Sequence, residues 1–396
     1  MLKVPIEQAT AGMVLARSVA NPEKLEHVLL KAGFELDETH IKRLRTLHVV
    51  HIWIQYPGLD FLDEILDPRL VEQQQTLYKS LKEQFAEAQG QGLDKINYHQ
   101  YVTQMSSLFR LLLQDKNPSS LFVMELQGGS QDLFLHSTIV ASLALLVGMR
   151  LEHYLVRARQ NLPAGAAADL TYLGVGCLLH DIGKLQLPEE LRNFHLTAQD
   201  RGDLAWQQHT EVGVEMRRGG LDAHSAQVVL NHHQHFDGSG FPVRKALPGS
   251  DELVLPLHGD EIHVFCRIAC VVDRYDGFRH LPDGTVAPNV VALKRLKNPG
   301  YAKWFDPEIY HAFTTAMPAF TLGEQVILNN GQTVVVTEIN QSEPCRPIVR
   351  PIDPAKSTDP GKNDDQTENT PDINLLTRRD LYVAKVGDFD VTPYLY

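Results

Sequence analysis

Histidine and aspartate residues are concentrated in one part of the chain. Ten of the 18 histidines fall between His180 and His280, many at or inside apolar runs of helical length. Imidazole and carboxylate are ligands that iron, manganese and zinc accept in proteins, and cysteine is not part of this set. The residue types therefore indicate a metal centre. Its candidate ligands are Asp132, His136, His180, Asp181, His209, His232, His233 and Asp273.

The spacing of these residues predicts more than one metal ion. Asp132 and His136 are four residues apart and project from the same face of a helix. Neighbours such as His180 and Asp181 point about 100° apart on a helix, so a pair can serve two ions and one residue can bridge them. Eight candidates exceed the roughly four to six positions around one ion. We therefore expect two or three ions, which suits the hydrolysis of phosphate esters.

Each residue also has a simpler interpretation when it is taken alone. A single histidine in a helix is more often a surface residue or a hydrogen-bonded core residue than a ligand. Asp273 could pair with an arginine such as Arg267. The whole set is harder to explain in this way, because burying two carboxylates and several imidazoles without partners is costly.

The motifs that contain these residues resemble one known family. They read HS at 136–137, HDIGK at 180–184, HTEVG at 209–213, HHQHFDGSGFP at 232–242 and DRYDG at 273–277. In this combination, residues 115–317 resemble the HD-GYP family of the HD phosphohydrolase superfamily, whose members degrade cyclic di-GMP. The resemblance implies a metal-dependent phosphodiesterase that produces pGpG, or GMP after a second cut. It also implies two or three divalent metal ions as cofactors, with iron expected first and manganese second.

The resemblance assigns roles to individual residues. It implies that the candidate ligands hold the metals and that Asp181 is the bridging carboxylate. Lys184 would meet a substrate phosphate, so Asp181 and Lys184 are the expected catalytic residues. Asp132 stands where a subset of the family has a glutamate that helps to hold a third metal. It could instead be an acidic residue in a first helical turn, favoured by the helix dipole.

The chain departs from the family pattern near these motifs. Phe241 replaces the tyrosine of the signature, so the loop Gly240, Phe241, Pro242 keeps the ring and loses the hydroxyl. Gln234 replaces the usual glutamate. The family's basic stretch after the last metal aspartate is absent, and Arg279 is the expected substitute in substrate binding. Extra residues from Val243 to Ser250 and beyond could form a lid, a partner contact or a tolerated surface insertion.

Two other functions remain open from the sequence. The protein could hydrolyse another nucleotide, or it could be an inactive cyclic di-GMP receptor or scaffold. The Gly-Phe-Pro loop could also dock onto a diguanylate cyclase (GGDEF) protein. The net charge of −12 argues against long nucleic acid as a partner. The apolar stretch 139–149 has 11 residues, whereas a bilayer crossing needs about 20. We therefore expect no membrane span. The four cysteines have no paired spacing, which favours free thiols in a reducing compartment and hence a cytoplasmic location.

The pattern along the chain predicts a mainly α protein. Residues 1–66 read as a small α+β module and 67–126 as a helical connector. Residues 127–317 lack two-residue alternation and read as an all-helical HD-type catalytic bundle. Residues 318–396 read as a small β module, with an Asn-Gly hairpin after position 324 and a mobile loop at 353–372. The leucines between 70 and 85 would suit a homodimer contact or packing on the chain's own core.

Overall fold

The protein is mainly helical, with small sheets near both ends, as predicted. The computed structural model describes residues 1–22, 24–49, 51–59, 61–62, 67–88, 96–114, 133–192, 203–214, 220–243, 256–281, 283–352 and 371–396. The predicted mobile loop at 353–372 lies outside these ranges except for its last two residues. The predicted domain boundaries remain predictions.

The helices and strands of the described ranges are as follows. The helices are α1 Glu38–Thr46, α2 Pro68–Ala88, α3 Tyr98–Gln114, α4 Leu133–Arg150, α5 Glu152–Ala158, α6 Ala164–Ala168, α7 Thr171–Leu179, α8 Leu204–Gln207, α9 His209–Val214, α10 Ala223–Asn231, α11 Val264–Arg279, α12 Asn289–Leu296, α13 Pro299–Ala302 and α14 Pro307–Ala316. The strands are β1 Leu2–Pro5, β2 Val19–Asn21, β3 Lys24–Leu30, β4 His51–Ile54, β5 Gln325–Leu328, β6 Thr333–Glu338, β7 Ile348–Pro351, β8 Ile373–Asn374, β9 Val383–Val386 and β10 Phe389–Asp390.

The core of the bundle is built around α4, α7 and α11. Helix α4 is apolar almost all round, and it packs against both α7 and α11. It is long and apolar enough to cross a membrane, but 67% of that stretch is buried inside the protein. A helix that is hydrophobic on every face belongs in the centre of a fold. This helix carries His136 in its first turn.

Helices α2 and α3 cover one side of this core. Leu70, Leu77 and Leu81 of α2 are fully buried in the same apolar cluster as α4 and α7. The buried Gln74 side chain donates a hydrogen bond to Ser142 of α4 at 2.9 Å. Of the two sequence interpretations, packing on the chain's own core is therefore the one that the structure shows.

The C-terminal strands form an antiparallel sheet in the order β10-β9-β5-β6-β7-β8. The predicted hairpin is present as β5 and β6, and Gly331 in its turn has a φ of 84°. That backbone conformation favours glycine. Val349 lies in β7 and Val383 in β9, whereas Leu381 lies two residues before β9.

The N-terminal residues form two small antiparallel pairs, β1 with β4 and β2 with β3. The helix of this module is α1, which begins where the Asp37 carboxylate accepts a hydrogen bond from the His40 amide at 2.8 Å. Val14 and Leu15 form only isolated bridges rather than a strand.

Candidate metal centre

The ends of apolar helices bring the histidines and aspartates together. His136 lies in the first turn of α4, His180 ends α7, and Asp181 follows it. His209 begins α9, and His232 ends α10. Asp273 lies in the third turn of α11, opposite α4. Side chains from five separate segments therefore meet inside the bundle. All are buried except Asp273, whose side chain is 14% exposed.

One group of ligating atoms surrounds His136. Its Nε2 lies 3.2 Å from His180 Nε2 and 3.2 Å from Asp273 Oδ1. Two imidazole nitrogens this close, facing a carboxylate, need a shared proton or a cation between them. His136, His180 and Asp181 together have the geometry of a metal-binding group.

Asp181 faces two sets of histidines with its two carboxylate oxygens. Its Oδ2 lies 3.7 Å from His136 Nε2 and 3.4 Å from His180 Nε2. Its Oδ1 lies 3.5 Å from His209 Nε2 and 3.7 Å from His232 Nε2. A second metal-binding group consists of Asp181, His209, His232 and His233. Since one carboxylate belongs to both groups, its position fits a bridge between two ions.

Hydrogen bonds on the outer side fix how these histidines are turned. The Nδ1 atoms of His180 and His209 each lie 2.7 Å from a main-chain carbonyl oxygen, that of Cys177 and of Trp206. His232 Nδ1 lies 3.0 Å from the Val229 carbonyl oxygen. Because Nδ1–H donates outward, the lone pair of Nε2 is directed to the centre, as in metal-ligating histidines.

Asp276 fixes the orientation of His136 in the same way. No role for Asp276 was expected from the sequence. Its Oδ2 accepts from His136 Nδ1 at 2.7 Å and lies 3.3 Å from His280 Nε2. Asp276 is 1% exposed and lies one turn after Asp273 in α11. A second aspartate one turn further along an apolar helix was the signal that could have identified it.

Unpaired atoms show that the residues fit metal ions. His209 Nε2, His232 Nε2, both ring nitrogens of His233 and Asp181 Oδ1 are buried and have no hydrogen-bond partner among the described residues. Buried polar groups without partners are costly. Imidazole and carboxylate donors suit divalent transition metals. Metal ions in the centre would satisfy the Nε2 atoms of His209 and His232, one ring nitrogen of His233 and Asp181 Oδ1.

The pKa values of the histidines differ between the two metal-binding groups. Burial lowers the pKa of His209 to about 3 and lowers the pKa of His232 as well. For His180, the charges and hydrogen bonds of Asp181 and Asp273 outweigh burial and raise the pKa to about 10. Without metal, these carboxylates hold a proton on the histidine. Bound cations would replace that proton, as is usual for metal sites.

Lys184 stands at the edge of the centre. Its Nζ lies 2.5 Å from Asp181 Oδ2, and its side chain is 12% exposed. The same ammonium lies 5.2 Å from the centroid of the Trp206 ring. Gly183 makes this turn compatible with α9, because a Cβ there would lie 1.9 Å from the carbonyl oxygen of His209.

The Gly-Phe-Pro loop covers one side of the histidines. The ring of Phe241 lies 4.6 Å from that of His233 and 5.8 Å from that of Trp206. The side chain of Gln234 donates to the Pro242 carbonyl oxygen at 2.7 Å, which holds the loop against the centre. A glutamate at this position could accept but not donate in its ionised form. Gln234, which departs from the family pattern, therefore holds the loop through its side-chain amide N–H group.

Four further expectations concern Arg267, Arg279, Asp132 and the insertion after Pro242. Arg267 does not pair with Asp273, because its guanidinium bonds to Asp306 at 2.6 Å. Arg279 is buried, and its Nη1 lies 3.8 Å from Asp276 Oδ1. Asp132 lies outside the described residues, as do 244–255, which include all of the predicted insertion after Val243.

Comparison with known proteins identifies the class to which this site belongs. A family profile described as "HD domain" matches residues 158–309. This part of the chain therefore matches the HD domain family, which confirms the resemblance at the level of the HD superfamily.

Several curated proteins are similar to the chain. The chain is 25% identical over 399 residues to "Cyclic di-GMP phosphodiesterase PA4108" of Pseudomonas aeruginosa, covering 91% of this chain and 87% of that protein. It is 28% identical over 141 residues to "Cyclic di-GMP phosphodiesterase" of Thermotoga maritima, covering 34% of each. It is 31% identical over 103 residues to "3'3'-cGAMP-specific phosphodiesterase 2" of Vibrio cholerae, covering 25% of this chain and 17% of that protein. The solved structure of Bd1817, a HDG"Y"P protein from Bdellovibrio bacteriovorus, aligns with 12% identity and a TM-score of 0.44 over 79% of this chain and 98% of that one.

Proposed function

We propose that this protein is a metal-dependent phosphodiesterase that hydrolyses cyclic di-GMP in bacterial second-messenger signalling. Its products would be pGpG and, after a second cut, GMP. The observation that carries the proposal is the convergence of buried, unpaired imidazole and carboxylate atoms on the two oxygens of Asp181. The names of the similar proteins supply the substrate, since two of them are cyclic di-GMP phosphodiesterases.

The residues of the centre would hold two or three divalent ions, with iron expected before manganese. His136, His180 and Asp273 would serve one ion, and His209, His232 and His233 the other, with Asp181 between them. Asp132 is the expected additional ligand of a third. Divalent metals supply an activated water and neutralise phosphate charge in this class of reaction.

Lys184 would act directly on the substrate. Its ammonium is held by Asp181 and by the Trp206 ring at an accessible edge of the centre. A fixed positive charge there would favour the phosphate and its more negative transition state. The phosphate oxygens would then compete with the Asp181 carboxylate for this charge.

Metal analysis and product chromatography test the assignment. Anaerobically purified protein should contain at least two metal ions per chain and convert cyclic di-GMP to pGpG or GMP. His232→Ala should lose metal and turnover. His224→Ala is the matched control, because this residue lies in the same helix at the other end and should keep both. Full metal content in His232→Ala would contradict the ligand assignment.

Another cyclic dinucleotide is the second candidate substrate. The similarity to a 3'3'-cGAMP-specific phosphodiesterase favours it over unrelated nucleotides. The ratio of kcat/KM for cyclic di-GMP and 3'3'-cGAMP decides between the two. Binding of either ligand by metal-loaded protein without turnover would instead support the receptor or scaffold function.

The remaining expectations concern partners and location. Docking of a diguanylate cyclase on Gly240, Phe241 and Pro242, and a cytoplasmic location, remain predictions from the sequence. The sequence argument for a homodimer through α2 no longer holds, because the leucines of this helix are buried in the chain's own core.

A further inference from the structure

Arg274 is a buried cation that the centre described above does not use. It follows Asp273 in α11 and is 9% exposed. Its Nε is buried without a hydrogen-bond partner, whereas its two Nη atoms are not among the buried atoms that lack one. No described carboxylate forms an ion pair with its guanidinium. The Nη edge of this cation therefore reaches solvent and can meet a dissolved anion.

The other buried arginines of the described chain have oxygen partners. Arg267 bonds to Asp306 at 2.6 Å, and Arg159 donates to a main-chain carbonyl oxygen at 2.8 Å. Arg279 lies 3.8 Å from a carboxylate oxygen. Arg274 therefore differs from residues of the same type and similar burial.

An aromatic ring and a histidine surround the guanidinium. Its Cζ lies 5.3 Å from the centroid of the Trp304 ring, on which the His235 ring stacks at 4.1 Å. The cation–π contact supplies no hydrogen-bond acceptor to the N–H groups of the guanidinium.

The position of Arg274 connects this group to the metal centre. Its neighbour Asp273 contacts His136 at 3.2 Å, and His235 lies two residues after His233. Arg274 and His235 are therefore each within two residues of a candidate ligand, which places this group next to the metal centre along the chain. Arg279 lies 3.8 Å from Asp276, and its expected role in substrate binding remains a prediction.

We propose that Arg274 and the Trp304 ring form an anion subsite beside the metal centre, which binds the second phosphodiester group of a cyclic dinucleotide. The proposal rests on the proposed function, because it concerns the same substrate. A cyclic dinucleotide carries two phosphodiester groups on one ring. When one is at the metals, the other needs a separate positive charge. The planar N–H groups of arginine match phosphate oxygens in pairs.

Two substrates with different numbers of phosphodiester groups distinguish the role of this subsite from that of the metal centre. Cyclic di-GMP has two phosphodiester groups, whereas bis(p-nitrophenyl) phosphate has one. In the full-length, metal-loaded protein, Arg274→Met should raise KM for cyclic di-GMP roughly 10- to 100-fold, the effect of one lost charged contact. Its kcat/KM for bis(p-nitrophenyl) phosphate and its metal content should stay within about twofold of the wild type. Arg274→Lys should recover part of the KM, because it keeps the charge and loses the paired geometry.

Arg159→Met is the matched control for the loss of a buried arginine. This variant should lower the free energy of unfolding. It should leave unchanged the ratio of KM for cyclic di-GMP to KM for bis(p-nitrophenyl) phosphate. An unchanged KM for cyclic di-GMP in Arg274→Met would overturn the subsite and leave the proposed function standing. An equal loss with both substrates would overturn it too, since Arg274 would then only support the centre. Wild-type protein that cleaves bis(p-nitrophenyl) phosphate but not cyclic di-GMP would overturn the proposed function, and this assignment with it.

Discussion

Replacing Gly183 with alanine should remove metal from the centre, because a methyl group has no room at this position. A Cβ there would lie 1.9 Å from the carbonyl oxygen of His209 and 2.9 Å from the amide nitrogen of Gly213. Ordinary contacts begin at 3.4 Å, so α9 would have to move away by about 1.5 Å. The obstructing atoms belong to the main chain, and no side-chain rotation can relieve the clash.

The displacement is large on the scale of metal coordination. Metal–ligand distances are held within about 0.2 Å. A shift of about 1.5 Å would therefore take His209 out of the ligand set while leaving the other helices in place. Overpacking of this kind costs about 1–3 kcal/mol. We expect a folded but less stable protein that has lost most of the metal of the His209 group.

Elemental analysis per chain and urea unfolding measure the two effects separately. Gly165→Ala in α6 is the matched control, because nothing lies within 4 Å of the added Cβ. It should keep its metal and gain up to about 1 kcal/mol from helix propensity. A Gly183→Ala protein with full metal content and wild-type stability would refute the close packing of α9 on this turn.

Two further predictions concern Asp276 and His263. Asp276→Asn should weaken metal binding about 10- to 100-fold in a chelator competition, because neutral asparagine holds the His136 tautomer less firmly; unchanged affinity would contradict this role. His263 caps α11 through Nδ1, which accepts from the Phe265 amide at 3.3 Å, and burial first, then neighbouring cations, lower its pKa to about 4. The unfolded chain therefore takes up this proton first, below about pH 6.5, and stability falls by roughly 2 kcal/mol between pH 7 and pH 5. His263→Asn keeps an acceptor that cannot titrate, so urea unfolding should show a shallower loss in acid; an equal loss would rule out His263 as its source.

The ligand positions could be predicted because their signals are local. Histidines and aspartates at the ends of apolar helices stand out against their surroundings, and helices that are apolar on every face must pack together. The Asn-Gly hairpin is likewise encoded within a few residues. The absence of two-residue alternation between 127 and 317 was sufficient to predict helices there.

The supporting contacts could not be predicted because they join distant parts of the chain. The pairing of Arg267 with Asp306 spans 39 residues, and that of His136 with Asp276 spans 140. The position of Asp276 one turn after a candidate ligand is visible in the sequence, but its partner His136 in another helix is not. The clash at Gly183 also depends on the approach of another segment. Sequence patterns readily identify the side chains that can bind metal. They identify less readily the atoms that orient those side chains.

The two ends of the chain are joined to the bundle by shared burial. Alternate residues of a strand face opposite sides of a sheet. In β6, Val334 and Val336 belong to the core of the bundle, whereas Val335 between them belongs to the core of the N-terminal module. The run of three valines is therefore buried on both faces, and the C-terminal sheet is a layer between two hydrophobic cores.

A second contact joins the N-terminal module to the helix that carries His136. Ala20 of β2 packs with Tyr78 of α2 and Leu135 of α4, and Leu135 is the residue before His136. Removing this cover would expose apolar surface in the turn that carries a candidate ligand. The β2–β3 hairpin and the first turn of α4 therefore share one set of close-packed side chains.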